Sequence, residues 1–397
     1  MNVVPHWQLR ARFARSLSDL YVREVPGSAA LLDLTHQVNA DVLGRDGATA
    51  QRLGSGERVA AERHAALRVG TPAELRQVAQ IFAALGMHPV GCYAPRGAAT
   101  PVVSTVFRAV DPGELARDAF RVSTSVPVPE TVPALRPMPP ELLTLAERAE
   151  AGQGLPLKDS RRFVALATAA FPSSRLGHLT PRVLDLDELN RRMAERDGGT
   201  VADDIQGPPH WDGPDLLLRR TTFGPGCAAE ARGIALTPAG RARYDAMTAE
   251  TDRLLAIDPV LSRQEAAAKV WAMCMPATEA GLARQDLAYF TYRATDPADR
   301  RPGGLGPPAG LAGLLHGGWI TAEPIVHEDG LSRPDPDGTP LDADWLAGVV
   351  ERPVHDPAET YARQRRESLD EAARALGIAP IAPPTAPEDP ADPDAAA

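Results

Sequence analysis

"ERHAALRVGTPAEL" (Glu62–Leu75) is the stretch on which the reading of the chain turns. Its first half alternates, and a period of two makes it a strand with His64, Ala66 and Arg68 on one face. Its second half is a helix start: Thr71 as N-cap, Pro72 at the first helical position and Glu74 closing a capping box. Leu75, Val78, Ile81, Phe82 and Leu85 then form one apolar stripe, and Gly86 can end the helix. Three short strand-like runs follow, "HPVGCYA", "PVVSTVFRAV" and "AFRVSTSVPV", so residues 62–128 read β-α-β-β-β.

Working outward, the same order recurs. A Pro-rich connector, "VPVPETVPALRPMPP", and a helical stretch from Pro140 to Ala170 fill 129–173. "LGHLTPRVL" then reads as a strand, although Thr180-Pro181-Arg182 also suits a turn. "DLDELNRRMAERDGG" is a helix with Asp185 or Asp187 near its start, and "TVADDIQGP", "DLLLRRTTFG" and "AEARGIAL" are three further strands, giving β-α-β-β-β over 174–240. The first forty residues are helical, broken at "VPGSA". The helix "TPAGRARYDAMTAETDRLLA", from Thr237, leads into the helical and loop-rich part 241–377, which also holds the helix "SRQEAAAKVWAMCM", the strand "DLAYFTYRA" and the loop "RRPGGLGPPAGLAGLL". A strand in "GGWITAEPIVHEDG" and a last amphipathic helix, "YARQRRESLDEAARALG", complete it. The expectation is an α+β protein whose residues 1–377 form one unit, with a disordered Ala-, Pro- and Asp-rich tail at 378–397.

Composition narrows the class of partner. A net charge of −10 argues against general nucleic-acid affinity, which needs a basic footprint. No run approaches the roughly 20 apolar residues of a membrane span, and "MNVVPHWQLRARFARS" lacks the apolar core of a secretory signal. Cys92, Cys227 and Cys274 are scattered and form neither a disulfide framework nor a cysteine zinc site. A reduced, cytoplasmic protein is the simplest expectation. There is no P-loop, and "GGLGPPAG" lacks the flanking strand and helix of a dinucleotide fingerprint. Lys158 and Lys269 are the only lysines, a bias that records genome composition rather than function.

Two facing β-α-β-β-β modules resemble the vicinal oxygen chelate superfamily, in which a cupped mixed sheet wraps a divalent metal. The resemblance implies ligands on the first strand of each module and on a last strand, where this sequence has His64, His178 and Glu230. Two imidazoles and one carboxylate are the facial triad of non-haem iron(II) oxygenases, with positions left open for substrate and dioxygen. Each member also has a plainer reading: His64 and His178 as hydrogen-bonded structural histidines, Glu230 as a solvated partner of Arg232. Arg68, on the face of His64, could grip a substrate carboxylate through its two-pronged guanidinium, or simply be exposed at a strand end. His36, His88, His210, His316, His327 and His355 make no metal-binding spacing.

Seven blocks sharpen the resemblance: "NADVLGRDG", "RLGSGERVAAERHAALRVGTPAEL", "IFAALGMHPVGCY", "PVVSTVFRAVDPGELARDAFRV", "HLTPRVLDLD", "EARGIALTPAGRARYD" and "GWITAEPIVHED". They resemble successive blocks of the 2-oxoadipate dioxygenase/decarboxylase family, from about Asn39 to Asp329. That family is similar in core to hydroxymandelate synthase and 4-hydroxyphenylpyruvate dioxygenase. The resemblance implies metal ligands at His64, His178 and Glu230, a carboxylate-binding arginine at Arg68, Fe(II) as cofactor, and a 2-oxo acid and dioxygen as substrates. It implies that 2-oxoadipate and dioxygen give 2-hydroxyglutarate with loss of CO2, in lysine catabolism. Some stretches depart from the family. The segment before "GHLTPR" is short, a "HINH"-like lead-in is replaced by "SRLGH", and after "EPIVHED" the polar "GLSRPDPDGTPLDADW" replaces an apolar run that helps hold the far end of the substrate; Ser332 is no safe equivalent there. Three alternatives follow: an iron oxygenase of specialised metabolism acting on another carboxylate or amino acid, a metal-dependent isomerase or lyase, and a ligand-sequestering protein. Nothing in the sequence speaks to oligomeric state.

Overall fold

The computed structural model describes residues 3–25, 27–47, 63–93, 102–127, 138–172, 176–197, 202–204, 220–224, 227–231, 233–276, 278–296, 306–325 and 343–384. The chain divides into two compact units, one of residues 1–204, 220–231 and 328–357, the other of 205–219, 232–327 and 358–397.

In the first unit, β1 (Val3–Pro5) leads into α1 (His6–Glu24), and Gly27, at φ +85°, turns the chain into α2 (Ser28–Asp46). β2 (Arg63–Arg68) runs into α3 (Pro72–Ala83). Thr71 caps α3 as the sequence predicts, its hydroxyl accepting from Glu74 N–H, but Glu74 reaches past the N-cap and accepts from Gly70 N–H at 2.8 Å. Then come β3 (His88–Tyr93), β4 (Val102–Arg108), the short helix α4 (Pro112–Arg117) and β5 (Arg121–Pro127). The predicted helix over 140–170 is two, α5 (Pro140–Ala151) and α6 (Leu157–Ala170), split by β6 (Gly154–Pro156), which pairs antiparallel with β1. Gly154 is obligatory there: a Cβ would sit 2.3 Å from the Val4 carbonyl oxygen. β7 (Leu176–Val183) runs straight through Thr180-Pro181-Arg182, so no turn forms. It is followed by α7 (Leu186–Asp197), capped by Asp185, then β8 (Ala202–Asp204), β9 (Arg220–Gly224) and β10 (Cys227–Ala231).

These strands make one mixed eight-stranded sheet in the order β3-β4-β5-β2-β7-β10-β9-β8. In each half the first strand pairs in parallel with the last, β2 with β5 and β7 with β10, and the two first strands pair antiparallel at the centre. One sheet face is apolar. Leu67, Val122 and Phe107 pack with Phe13 and Leu17 of α1 and with Val78 and Phe82 of α3 in the main core. Phe82 meets Phe107 and Phe171, and Phe13 meets Phe120, at ring separations of 5.2–6.2 Å, within the range aromatic pairs favour.

The second unit holds α8 (Pro238–Ile257), α9 (Arg263–Cys274), α10 (Glu279–Arg284), β11 (Phe290–Ala294), α11 (Leu311–His316) and β12 (Ile320–Pro324), with β11 and β12 antiparallel. α11 lies inside the stretch expected to be loop. α12 (Ala343–Val350), which belongs to the first unit, was not expected either; α13 (Pro357–Leu376) is the predicted last helix. Residues 385–397, most of the predicted tail, and 326–342, which include Ser332, lie outside the described residues. Among the described residues no helix is long and apolar enough to cross a membrane.

Candidate active site

The other face of the sheet is polar at its centre. On β2, Ala65 and Leu67 are buried in the core, His64 and Ala66 are partly accessible and Arg68 is exposed, the alternation that the sequence predicts. Arg121, Ser123 and Ser125 of β5 stand in register with His64, Ala66 and Arg68. On the other side of β2, Thr180 of β7 is opposite His64 and the backbone of His178 is opposite Ala66. Glu230 of β10 is opposite Arg182 of β7.

Four of these residues meet. Glu230 Oε1 accepts hydrogen bonds from Arg121 Nη2 at 2.7 Å and Arg182 Nε at 3.0 Å, while Oε2 lies 3.7 Å from His64 Nδ1. Arg121, Arg182 and Glu230 are all buried, at 1%, 3% and 3% exposure. Glu230 is therefore not the solvated carboxylate of the plainer reading. β5 and β10 are three strand spacings apart, about 14 Å at about 4.8 Å each. Side chains stand off a sheet, so a direct Arg121–Glu230 bond means that this face is concave, its tips converging above β2 and β7.

Burial alone would push the Glu230 carboxyl up. The guanidiniums of Arg121 and Arg182, helped by His64, instead hold it well below the usual carboxylate range, so it is an anion at neutral pH. Ser125, in register with Arg68, has its Oγ 2.7 Å from Ser104 Oγ of β4.

The four residues singled out from sequence thus fall on adjacent strands. His64 and Glu230 come into contact range, Arg68 shares the face of His64, and His178 is located by its backbone register. Among the described residues no group of three His, Cys, Asp or Glu side chains is gathered for a metal. Neither Arg121 nor Arg182 is among the candidates that the sequence singles out. A signal for Arg121 was present: in "RVSTSV" every second residue is polar, so Arg121, Ser123 and Ser125 share a face.

The sequence model of the 2-oxoadipate dioxygenase/decarboxylase family matches residues 13–173, 157–225 and 227–334. A relative from Mycobacterium bovis named 2-oxoadipate dioxygenase/decarboxylase is 41% identical over 421 residues, covering 89% of this chain and 95% of its own. The crystal structure of hydroxyglutarate synthase from Pseudomonas putida superposes with a TM-score of 0.81 at 30% identity, covering 95% of this chain and all of that one. The same enzyme in complex with 2-oxoadipate gives 0.79, again at 30% identity and with the same coverage. With matches along nearly its whole length, this chain belongs to the 2-oxoadipate dioxygenase/decarboxylase family.

Proposed function

We propose that this protein is a non-haem iron(II) enzyme that converts 2-oxoadipate to 2-hydroxyglutarate with dioxygen and loss of CO2. The observation that carries the reading is the near-complete match to hydroxyglutarate synthase, a relative whose structure is known with 2-oxoadipate bound. The repeated β-α-β-β-β order supports a vicinal oxygen chelate architecture, and a cytoplasmic place in lysine breakdown is part of the same proposal.

The donor set fits the metal. An imidazole and an anionic carboxylate converge on one concave face, 3.7 Å apart, with a second histidine position on the strand between them. His64, His178 and Glu230 are the proposed ligands, a combination suited to iron(II). When bound, the iron supplies the redox centre for dioxygen and an electrophile for the keto and carboxylate oxygens of the substrate. The protein does the rest. Glu230 stays ionised without a proton to lose, because two guanidiniums offset its burial. Arg68 is proposed to bind a substrate carboxylate, with Ser125, in register with it on β5, to accept or donate a further hydrogen bond. Neither role needs a strong acid or base.

Oxygen uptake by protein loaded anaerobically with Fe(II) tests this. Uptake with 2-oxoadipate, abolished in His64→Ala and strongly reduced in Arg68→Ala, is expected. A second reading, another 2-oxo acid or carboxylate with the same chemistry, is favoured by the polar "GLSRPDPDGTPLDADW" after Asp329. Uptake with shorter, longer or branched 2-oxo acids but not with 2-oxoadipate would select it.

A further inference from the structure

We infer that Arg121 and Arg182 are positioning residues that clamp Oε1 of Glu230, so that Oε2 alone is offered on the side of His64. The inference rests on the proposed metal role of His64 and Glu230 and concerns the groups behind that role. Both guanidiniums bond the same carboxylate oxygen, at 2.7 and 3.0 Å, and the other oxygen faces the imidazole. They come from different strands: Arg182 from the register neighbour of Glu230, and Arg121 from across β2 and β7. The carboxylate is therefore fixed from two directions, and all three side chains are buried.

The chemistry follows from which oxygen is taken. A carboxylate with both oxygens available can bind a divalent cation through one or both. One whose Oε1 already accepts two charge-assisted hydrogen bonds has a single oxygen to give. The same bonds draw electron density away, making Glu230 a weak donor. Two arginines against one glutamate also leave the cluster with net positive charge, before His64 is counted, which suits the floor of a site for a dianionic acid.

Removing either arginine has two opposed effects on a metal. It deletes a neighbouring cation, which favours binding, and it releases the carboxylate from its orientation, which disfavours it. Partners behind metal ligands are typically worth about tenfold to a hundredfold in affinity, so the loss of orientation is taken to dominate.

Anaerobic Co(II) titration of the full chain without substrate, followed by its visible ligand-field bands, tests the clamp. Arg121→Gln and Arg182→Gln are expected to bind Co(II) at least about tenfold more weakly, with band intensities altered as Oε1 becomes available. Arg182→Lys, which restores charge and one donor, is expected to recover part of the affinity. Equal or tighter binding with an unchanged spectrum in both glutamine variants overturns the inference, whatever happens to their melting temperatures. If those variants do not fold, Arg182→Lys decides by affinity: Co(II) binding weaker than wild type supports the clamp, and equal or tighter binding overturns it. A wild-type chain that binds no Co(II) overturns the metal reading and the clamp together; a wild type that binds while its variants match it overturns the clamp alone.

Discussion

Glu230 shows what a single residue contributes. A buried carboxylate is costly unless its charge is met, and here two guanidiniums meet it. Glu230→Gln keeps the shape and removes the charge, leaving Arg121 and Arg182 facing a neutral amide in a buried place. We expect it to lower apo stability by about 3 kcal/mol, since breaking a buried pair from one side costs roughly 3–5 kcal/mol. Urea unfolding of metal-free protein measures this, and no change would mean that the buried cations find other compensation. Arg68 is exposed and should behave differently. Arg68→Ala is expected to leave stability within about 0.5 kcal/mol of wild type, as for most surface changes, while raising KM for 2-oxoadipate more than it lowers kcat; steady-state oxygen uptake separates the two.

Among the elements, α8 shows how closely a helix can be seated. Thr237 caps it, accepting from Gly240 N–H and donating to the Asp286 carbonyl. A Cβ on Gly240 would fall 1.7 Å from the Leu287 carbonyl oxygen, a backbone atom that no rotamer change can move. Gly240→Ala is therefore expected to cost about 3 kcal/mol or to prevent folding, at the upper end of overpacking penalties; thermal melting checks it, and a Tm within a degree of wild type would refute the close packing. At the sheet edge, β3 is protected by chain from the C-terminal side: His355 N–H donates to Pro89 O at 2.9 Å and Gly91 N–H donates to His355 O at 3.3 Å. That pairing blunts an edge that would otherwise offer free backbone groups to another strand.

For the molecule as a whole, two conditions should move stability. Burial, then the nearby His355 and Arg352, push His88 down from 6.5 to about 4, against a smaller opposing pull from Glu150. Between pH 6.5 and 4 the unfolded chain takes up a proton that the folded chain refuses, so stability falls as pH drops through that window. The loss is up to about 3 kcal/mol at about 1.4 kcal/mol per pH unit. Urea unfolding at pH 7 and 4.5 measures it, and His88→Asn should lose that part of the pH slope. Metal acts in the other direction. Fe(II) or Co(II) at a hundred times its Kd should stabilise the native state by about 2.7 kcal/mol, reversed by chelator; His64→Ala should remove the effect.

What the sequence by itself determined is local. The alternation of β2, the Thr71-Pro72 helix start and the apolar stripe of α3 depend on residues two to four apart, so periodicity reveals them. The two β-α-β-β-β runs and the face shared by His64 and Arg68 were legible for the same reason, and the quoted blocks pointed to the family. Short elements were not: α4, α10 and α11 have six residues each, too few for a helical period to stand out. β6 has three, and its partner β1 lies some 150 residues earlier, so nothing in "GLP" announces a strand. Only the tertiary structure decided that Arg121, 109 positions before Glu230, bonds it. That contact needs the sheet order β5-β2-β7-β10 and a concave face, both set by packing between distant segments, and no local pattern encodes it.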